Sequence, residues 1–131
     1  MLEQDNKALS YFNKALKIFD KIGNLYKKAL TLKNIGNVYY YNNKNNEALD
    51  YYLQSKNLFD KIGNNTRITE VINNIGFVYL DKGNYDKALD YFNRSLKIYM
   101  ELGSTIDIGM IYYTIGNAYD YKIDFEASLD Y

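Results

Sequence analysis

Apolar side chains recur along this chain at helical spacing, and the helices they predict recur at a longer step. In residues 3–22 the apolar positions are Ala8, Leu9, Phe12, Ala15, Leu16 and Phe19, the three-and-four spacing of an amphipathic helix. Gly23 follows the last of them, where a glycine can adopt the left-handed conformation that closes a helix, and Asn24 can then cap the next one. The same reasoning predicts helices over 25–41, 46–62, 65–81, 85–102 and 105–121, with glycine stops at Gly63 and Gly103. Polar turns are predicted at Asn42-Asn43-Lys44-Asn45 and Asp81-Lys82-Gly83-Asn84, with Asn43 and Gly83 as the residues able to take positive φ. Ile123 occupies the equivalent place in a third turn. A β-branched residue resists positive φ, so that turn is expected to be frayed or of another shape.

The longer step is 40 residues. Asn34-Ile35-Gly36-Asn37-Val38-Tyr39 returns as Asn74-Ile75-Gly76-Phe77-Val78-Tyr79 and as Thr114-Ile115-Gly116-Asn117-Ala118-Tyr119. Ala8-Leu9, Ala48-Leu49, Ala88-Leu89 and Ser128-Leu129 keep the same interval. A fixed step in this range marks an array in which each unit buries its apolar face against its neighbours. The expected architecture is all-α, divided into a half repeat 1–23, full repeats 24–63 and 64–103, and a partial repeat 104–131. Both ends fall inside a repeating pair, so the chain reads as a piece of a longer array.

Composition narrows the chemistry. Sixteen basic residues balance sixteen acidic ones, which leaves no surplus to displace counterions from nucleic-acid phosphates. The chain has no Cys and no His, which removes the usual zinc sites, thiol nucleophiles and imidazole bases. No apolar run approaches the roughly 18 residues that span a bilayer, so a cytoplasmic protein without membrane attachment or cofactor is expected. The absence of Pro and the 16 Tyr fit an AT-rich coding sequence better than any particular activity. Asp120, Asp124 and Glu126 lack a defined cation-loop pattern and read as solvated carboxylates. With no constellation of acid, base and nucleophile, an enzyme is not expected.

The repeated stretches resemble the tetratricopeptide repeat family. Leu32-x2-Ile35-Gly36-x2-Tyr39 followed by Ala48-x3-Tyr52 meets that family's pattern, as do Ile72-x2-Ile75-Gly76-x2-Tyr79 with Ala88-x3-Phe92. The third copy, Tyr112-x2-Ile115-Gly116-x2-Tyr119, has Ser128 in place of the alanine, and Ala8-x3-Phe12 supplies an orphan half. The resemblance implies an α-solenoid of antiparallel helix hairpins wound as a right-handed superhelix. Gly36 and Ala48 are expected where paired helices cross closely. Two features depart from the usual pattern: the step exceeds the family's 34 residues, and the terminal proline is missing. A 40-residue step is most similar to the long-repeat branch that includes kinesin light chains and the scaffolds carrying G-protein-binding motifs.

In that family the first helix of each pair lines a concave groove. Carried onto this sequence, the groove positions are Lys33, Asn34, Asn37, Tyr40 and Tyr41; then Asn73, Asn74, Phe77, Leu80 and Asp81; then Tyr113, Thr114, Asn117, Asp120 and Tyr121. Amides offer a donor and an acceptor to an extended peptide backbone, and aromatic rings add apolar area at little rotamer cost. Lys33, Asn37 and Asn74 match half of the clamp that some members use for a C-terminal carboxylate, but Met110 and Thr114 stand where its cations should be. Weak or no binding of chaperone tails is therefore expected. The function implied is a protein-interaction module that takes an extended peptide or partner helix in its groove. The alternative is a structural segment that self-associates head to tail through its uncapped ends.

Overall fold

The computed structural model describes residues 1–129 as six α-helices, with no strand among them. They are α1 (Glu3–Ile22), α2 (Leu25–Tyr41), α3 (Asn45–Ile62), α4 (Asn65–Asp81), α5 (Tyr85–Leu102) and α6 (Thr105–Leu129). Asp130 and Tyr131, the end of the expected partial repeat 104–131, lie outside the described residues. None of the described helices is long and apolar enough to cross a membrane. The chain divides into two compact units, Met1–Val71 and Ile72–Tyr131.

Local signals close the helices as the sequence suggests. Gly23, Gly63 and Gly103 end α1, α3 and α5 in the left-handed region, at φ of 73°, 78° and 70°. The Asn24 side chain accepts the Lys27 backbone N–H at 3.0 Å, capping α2. Asn64 and Asn84 do the same for Arg67 and Lys87. In the α2–α3 turn Asn43 takes φ 60°, and Gly83 takes φ 77° between α4 and α5.

In Met1–Val71, α1 packs on α2 and α2 on α3. Ala29, Leu32, Ile35, Ala48, Tyr52 and Phe59 form the buried interior, with Ile68 and Val71 from the first turns of α4. The crossing of α2 and α3 is set by Gly36. A Cβ at that position would stand 2.7 Å from the Tyr52 ring and 3.3 Å from the Ala48 carbonyl oxygen. The small residues expected at the crossing are therefore required by a large one, since the Tyr52 ring lies directly on the glycine backbone.

In Ile72–Tyr131 the same device recurs. A Cβ on Gly76 would stand 2.5 Å from the Phe92 ring. Ala88, Leu89, Phe92, Ile111 and Ala118 form one buried cluster, flanked by Tyr79, Leu80, Leu96, Tyr99 and Ile115, and α5 packs on α6. Stacked tyrosines repeat with the helices: Tyr39 on Tyr51 at 5.5 Å in the first unit, and Tyr79 on Tyr91 at 5.7 Å in the second.

The third turn does not form. Instead of ending near Tyr121, α6 runs unbroken to Leu129, and Ile123 sits inside the helix. A residue that resists positive φ is at home in helical φ/ψ, so the local sequence carries no instruction to stop. The extension is tied to α5 by Lys122, whose Nζ lies 2.9 Å from the Asp86 carboxylate, and by the Phe125 ring beside Tyr85 at 5.6 Å. Gly116 consequently has no neighbour within 4 Å of a Cβ built on it.

Alanine at the three equivalent glycines separates packing from propensity. Gly36→Ala and Gly76→Ala should each lower unfolding free energy by about 1 to 3 kcal/mol, because a ring must move. Gly116→Ala should raise it by up to about 1 kcal/mol, the ordinary gain of alanine over glycine in a helix. Urea denaturation followed by circular dichroism distinguishes the two classes, and equal effects at all three sites would contradict the assigned contacts.

Candidate functional site

The first helix of each pair carries the expected groove residues, and the structure gives them unequal surroundings. On α2, Lys33 is only 8% exposed. Its Nζ lies 2.6 Å from Glu70 Oε1, and Arg67 holds the other carboxylate oxygen at 3.1 Å. Burial acts to raise the Glu70 pKa, but the hydrogen bonds and charges of Lys33 and Arg67 outweigh it and hold the carboxyl below its ordinary range. Arg67 also donates from Nε to the Tyr26 hydroxyl at 3.2 Å. The Lys33 ammonium is therefore committed to a carboxylate inside its own unit, a second reason for a poor carboxylate clamp.

Asn37 is likewise engaged. Its Oδ1 accepts the Tyr52 hydroxyl at 2.6 Å. Burial first, then the neighbouring Tyr41 and Tyr40, push the Tyr52 pKa well up, so the phenol stays protonated and remains a donor. Tyr40 and Tyr41 meet edge to face at 5.8 Å, with Tyr41 largely exposed, and Asn34 is half-buried.

The second repeat replaces both members of the Asn37–Tyr52 pair together. Phe77 stands at the place of Asn37 and Phe92 at that of Tyr52. Their rings meet edge to face, centroids 5.2 Å apart at 64°. One position is thus filled by a hydrogen-bonded polar pair in one repeat and by an aromatic pair in the next. Asn73 donates from Nδ2 to the Tyr99 hydroxyl at 3.1 Å, while its Oδ1 is buried without a partner. Asn74 is half-buried on α4.

Within Ile72–Tyr131 these residues surround a cavity of about 490 Å³ between α4 and α6. Phe77, Tyr113, Asn117 and Tyr121 line it, with Leu80, Asp81, Thr114 and Tyr85. A smaller cavity of about 160 Å³ lies beside it, walled by Asn73, Phe77, Tyr99, Asp107, Met110, Ile111 and Thr114. Seven of the eight residues lining the larger cavity stand at expected groove positions. Tyr85 was missed because it opens α5, a helix of the other type, although an aromatic directly after the Asn84 turn was visible. Glu70 was missed for another reason: its equivalents in the neighbouring repeats are Leu30 and Met110, so the periodicity carries no sign of an ion pair with Lys33.

A family model for the tetratricopeptide repeat matches residues 1–61 and 67–131, and the chain belongs to that family. Its members generally serve as scaffolds for protein–protein interaction. Among solved structures, the chain is similar to BtubC (BKLC) from P. vanneervenii, at 24% identity over 94% of this chain and 52% of that one, with a TM-score of 0.82. It is also similar to a signal transduction ATPase with numerous domains from Pyrococcus horikoshii, which has a tetratricopeptide repeat sensor. There the identity is 27% over 94% of this chain and 19% of that one, with a TM-score of 0.84. A Rap protein complexed with competence and sporulation factor shares the fold at 18% identity, covering 98% of this chain and 41% of that one, with a TM-score of 0.71. The chain thus spans about half or less of each neighbour's length. No curated protein matches it in sequence.

The swapped pair predicts a compensation. Tyr52→Phe alone should cost about 1 kcal/mol by leaving the Asn37 acceptor without its donor, and Asn37→Phe alone about 1 to 3 kcal/mol by stranding a buried phenol. The double variant copies the Phe77–Phe92 solution and should recover at least half of the summed loss. A thermal-denaturation double-mutant cycle with a coupling below about 0.5 kcal/mol would show that the two positions act independently.

Proposed function

We propose that this chain is a protein-interaction module that binds an extended peptide or partner helix against α4 and α6. One observation carries the reading: the cavity in Ile72–Tyr131 gathers Phe77, Tyr113, Asn117 and Tyr121, aromatic area beside an amide. Its volume of about 490 Å³ is in the range of ligand pockets. Tyr113 and Tyr121 are 73% and 56% exposed and share one cavity wall with Phe77, which gives a partner adjoining ring area to cover. The amide of Asn117 can receive and return a peptide-backbone hydrogen bond while the rings take side chains. The archaeal neighbour carries its repeats as a sensor, a role that fits a ligand-binding groove.

Peptides selected against the chain from a random 12-residue display library supply the test. Replacing Phe77 and Asn117 together by alanine should weaken the selected peptides about tenfold or more, the loss typical of two central contacts. Binding unchanged by that double variant, in a protein with unaltered helicity, would move the site elsewhere.

Self-association is a second reading, favoured by a separate observation. Tyr52 and Phe92 are buried against Gly36 and Gly76, whereas Phe12, at the same place on α1, is half-exposed and Gly116 is bare. Phe12 of one copy could cover Gly116 of another. Charge is complementary too, with eleven basic against seven acidic residues in Met1–Val71 and five against nine in Ile72–Tyr131. Sedimentation equilibrium should then show association that rises with concentration, weakens with salt and is abolished by Gly116→Phe. A monomer at every concentration removes this reading.

A further inference from the structure

The cavity between α4 and α6 joins ring area to hydrogen-bond donors. Phe77, Tyr85, Tyr113 and Tyr121 bring four rings to its wall, and Asn117 brings an amide. Three of those rings are phenols, each with an O–H to give, and the Asn117 amide has two N–H groups. Tyr113 and Tyr121 are the exposed ones, so their hydroxyls stand where a ligand can reach them. The Thr114 hydroxyl is spent differently, donating to the Met110 carbonyl at 3.1 Å. Tyr113, Asn117 and Tyr121 recur every four residues on α6. They therefore sit on successive turns, with about 12 Å along the axis between the first and the last. Asp81 shares the wall and already has an interaction within the chain, so no ligand charge is required to answer it.

We propose that this cavity receives a proline-rich segment of a partner protein, held in the polyproline II conformation. That conformation makes no internal hydrogen bonds, so its carbonyls are all free to accept from the phenols and the Asn117 amide. Proline has no backbone N–H, and a run of prolines therefore strands no donor against the rings. Its own flat, apolar ring packs on an aromatic face, and its fixed φ means that little chain entropy is lost on docking. An ordinary extended peptide would bring an N–H at every residue to a wall made mostly of rings. A helix would have its carbonyls occupied already and leave the phenols without acceptors. Spacing agrees as well: at about 3.1 Å per residue, four residues of polyproline II span the interval from Tyr113 to Tyr121. The 131 residues contain no proline, so a second copy of this chain cannot be the occupant. This ligand class rests on the groove reading above and chooses, between extended peptide and helix, one kind of extended peptide.

The test follows fluorescent, end-blocked decaproline by anisotropy against the intact 131-residue chain. The controls are a flexible decapeptide of glycine and serine, and a decapeptide of alternating serine and leucine that is apolar but carries an N–H at every residue. Decaproline should bind about tenfold more tightly than either. Tyr113→Phe with Tyr121→Phe, two exposed changes that keep the rings and whose helicity is checked by circular dichroism, should weaken decaproline about tenfold while leaving the serine–leucine peptide unchanged. Decaproline binding no tighter than the serine–leucine peptide, or unaltered by the double phenylalanine variant, overturns the proline preference. If display-selected peptides then still bind and are lost in the Phe77/Asn117 double alanine variant, the groove reading stands without it. If neither decaproline nor any selected peptide binds, both fall.

Discussion

The structure depends on two missing side chains. At Gly36 and Gly76 the first helix of a hairpin exposes bare backbone, and an aromatic ring of the second helix lies on it. That contact fixes how closely α2 and α3 approach in one unit and how α4 and α5 approach in the other. Ala48 and Ala88, both fully buried, stand one helical turn before each ring on the second helix. Once the ring is seated, its outer edge must be answered by the residue after the glycine. Asn37 does this with an acceptor for Tyr52, and Phe77 with a ring edge for Phe92. The residue after each glycine is thus coupled to the core through a single layer of side chains, and a change at Asn37 or Phe77 acts directly on the packing beneath it.

Most of the fold was legible because its instructions are local and repeated. Apolar spacing, glycine at positive φ and asparagine caps are properties of short segments, and the 40-residue step let each copy corroborate the others. The failure at the third turn has the same origin. Ile123 announced that the usual turn could not form, but residues 121–124 had no positive signal for helix beyond the lack of a stop. The path of α6 was decided by contacts with α5, Lys122 to Asp86 and Phe125 to Tyr85, which no local rule contains.

The candidate site was legible in part. The positions lining the larger cavity follow from helical geometry once Gly76 and Gly116 fix the register, which is why Phe77, Tyr113, Asn117 and Tyr121 fall together. What each side chain is free to do does not follow from register. Lys33 and Asn37 sit at groove positions on α2 yet are held by Glu70 and Tyr52, and only three-dimensional contacts show it. The two units therefore differ in character despite sharing a sequence pattern. In the first, Lys33 and Asn37 are engaged by Glu70 and Tyr52, while in the second Tyr113 and Tyr121 stand exposed beside Phe77.

The paired exchange of Asn37 and Tyr52 for Phe77 and Phe92 bears on how such an array can be rebuilt from its parts. Whole repeats can be transplanted, because each carries both members of its pair. A splice between positions 37 and 52 would instead set asparagine against phenylalanine, or phenylalanine against tyrosine, and strand a polar atom beneath the ring. The two positions behave as one inherited letter written in two places. Any chimera assembled from these repeats should keep its seams in the loops at Gly23, Gly63 and Gly103, where the backbone is already punctuated and the pair at the glycine crossing is not cut.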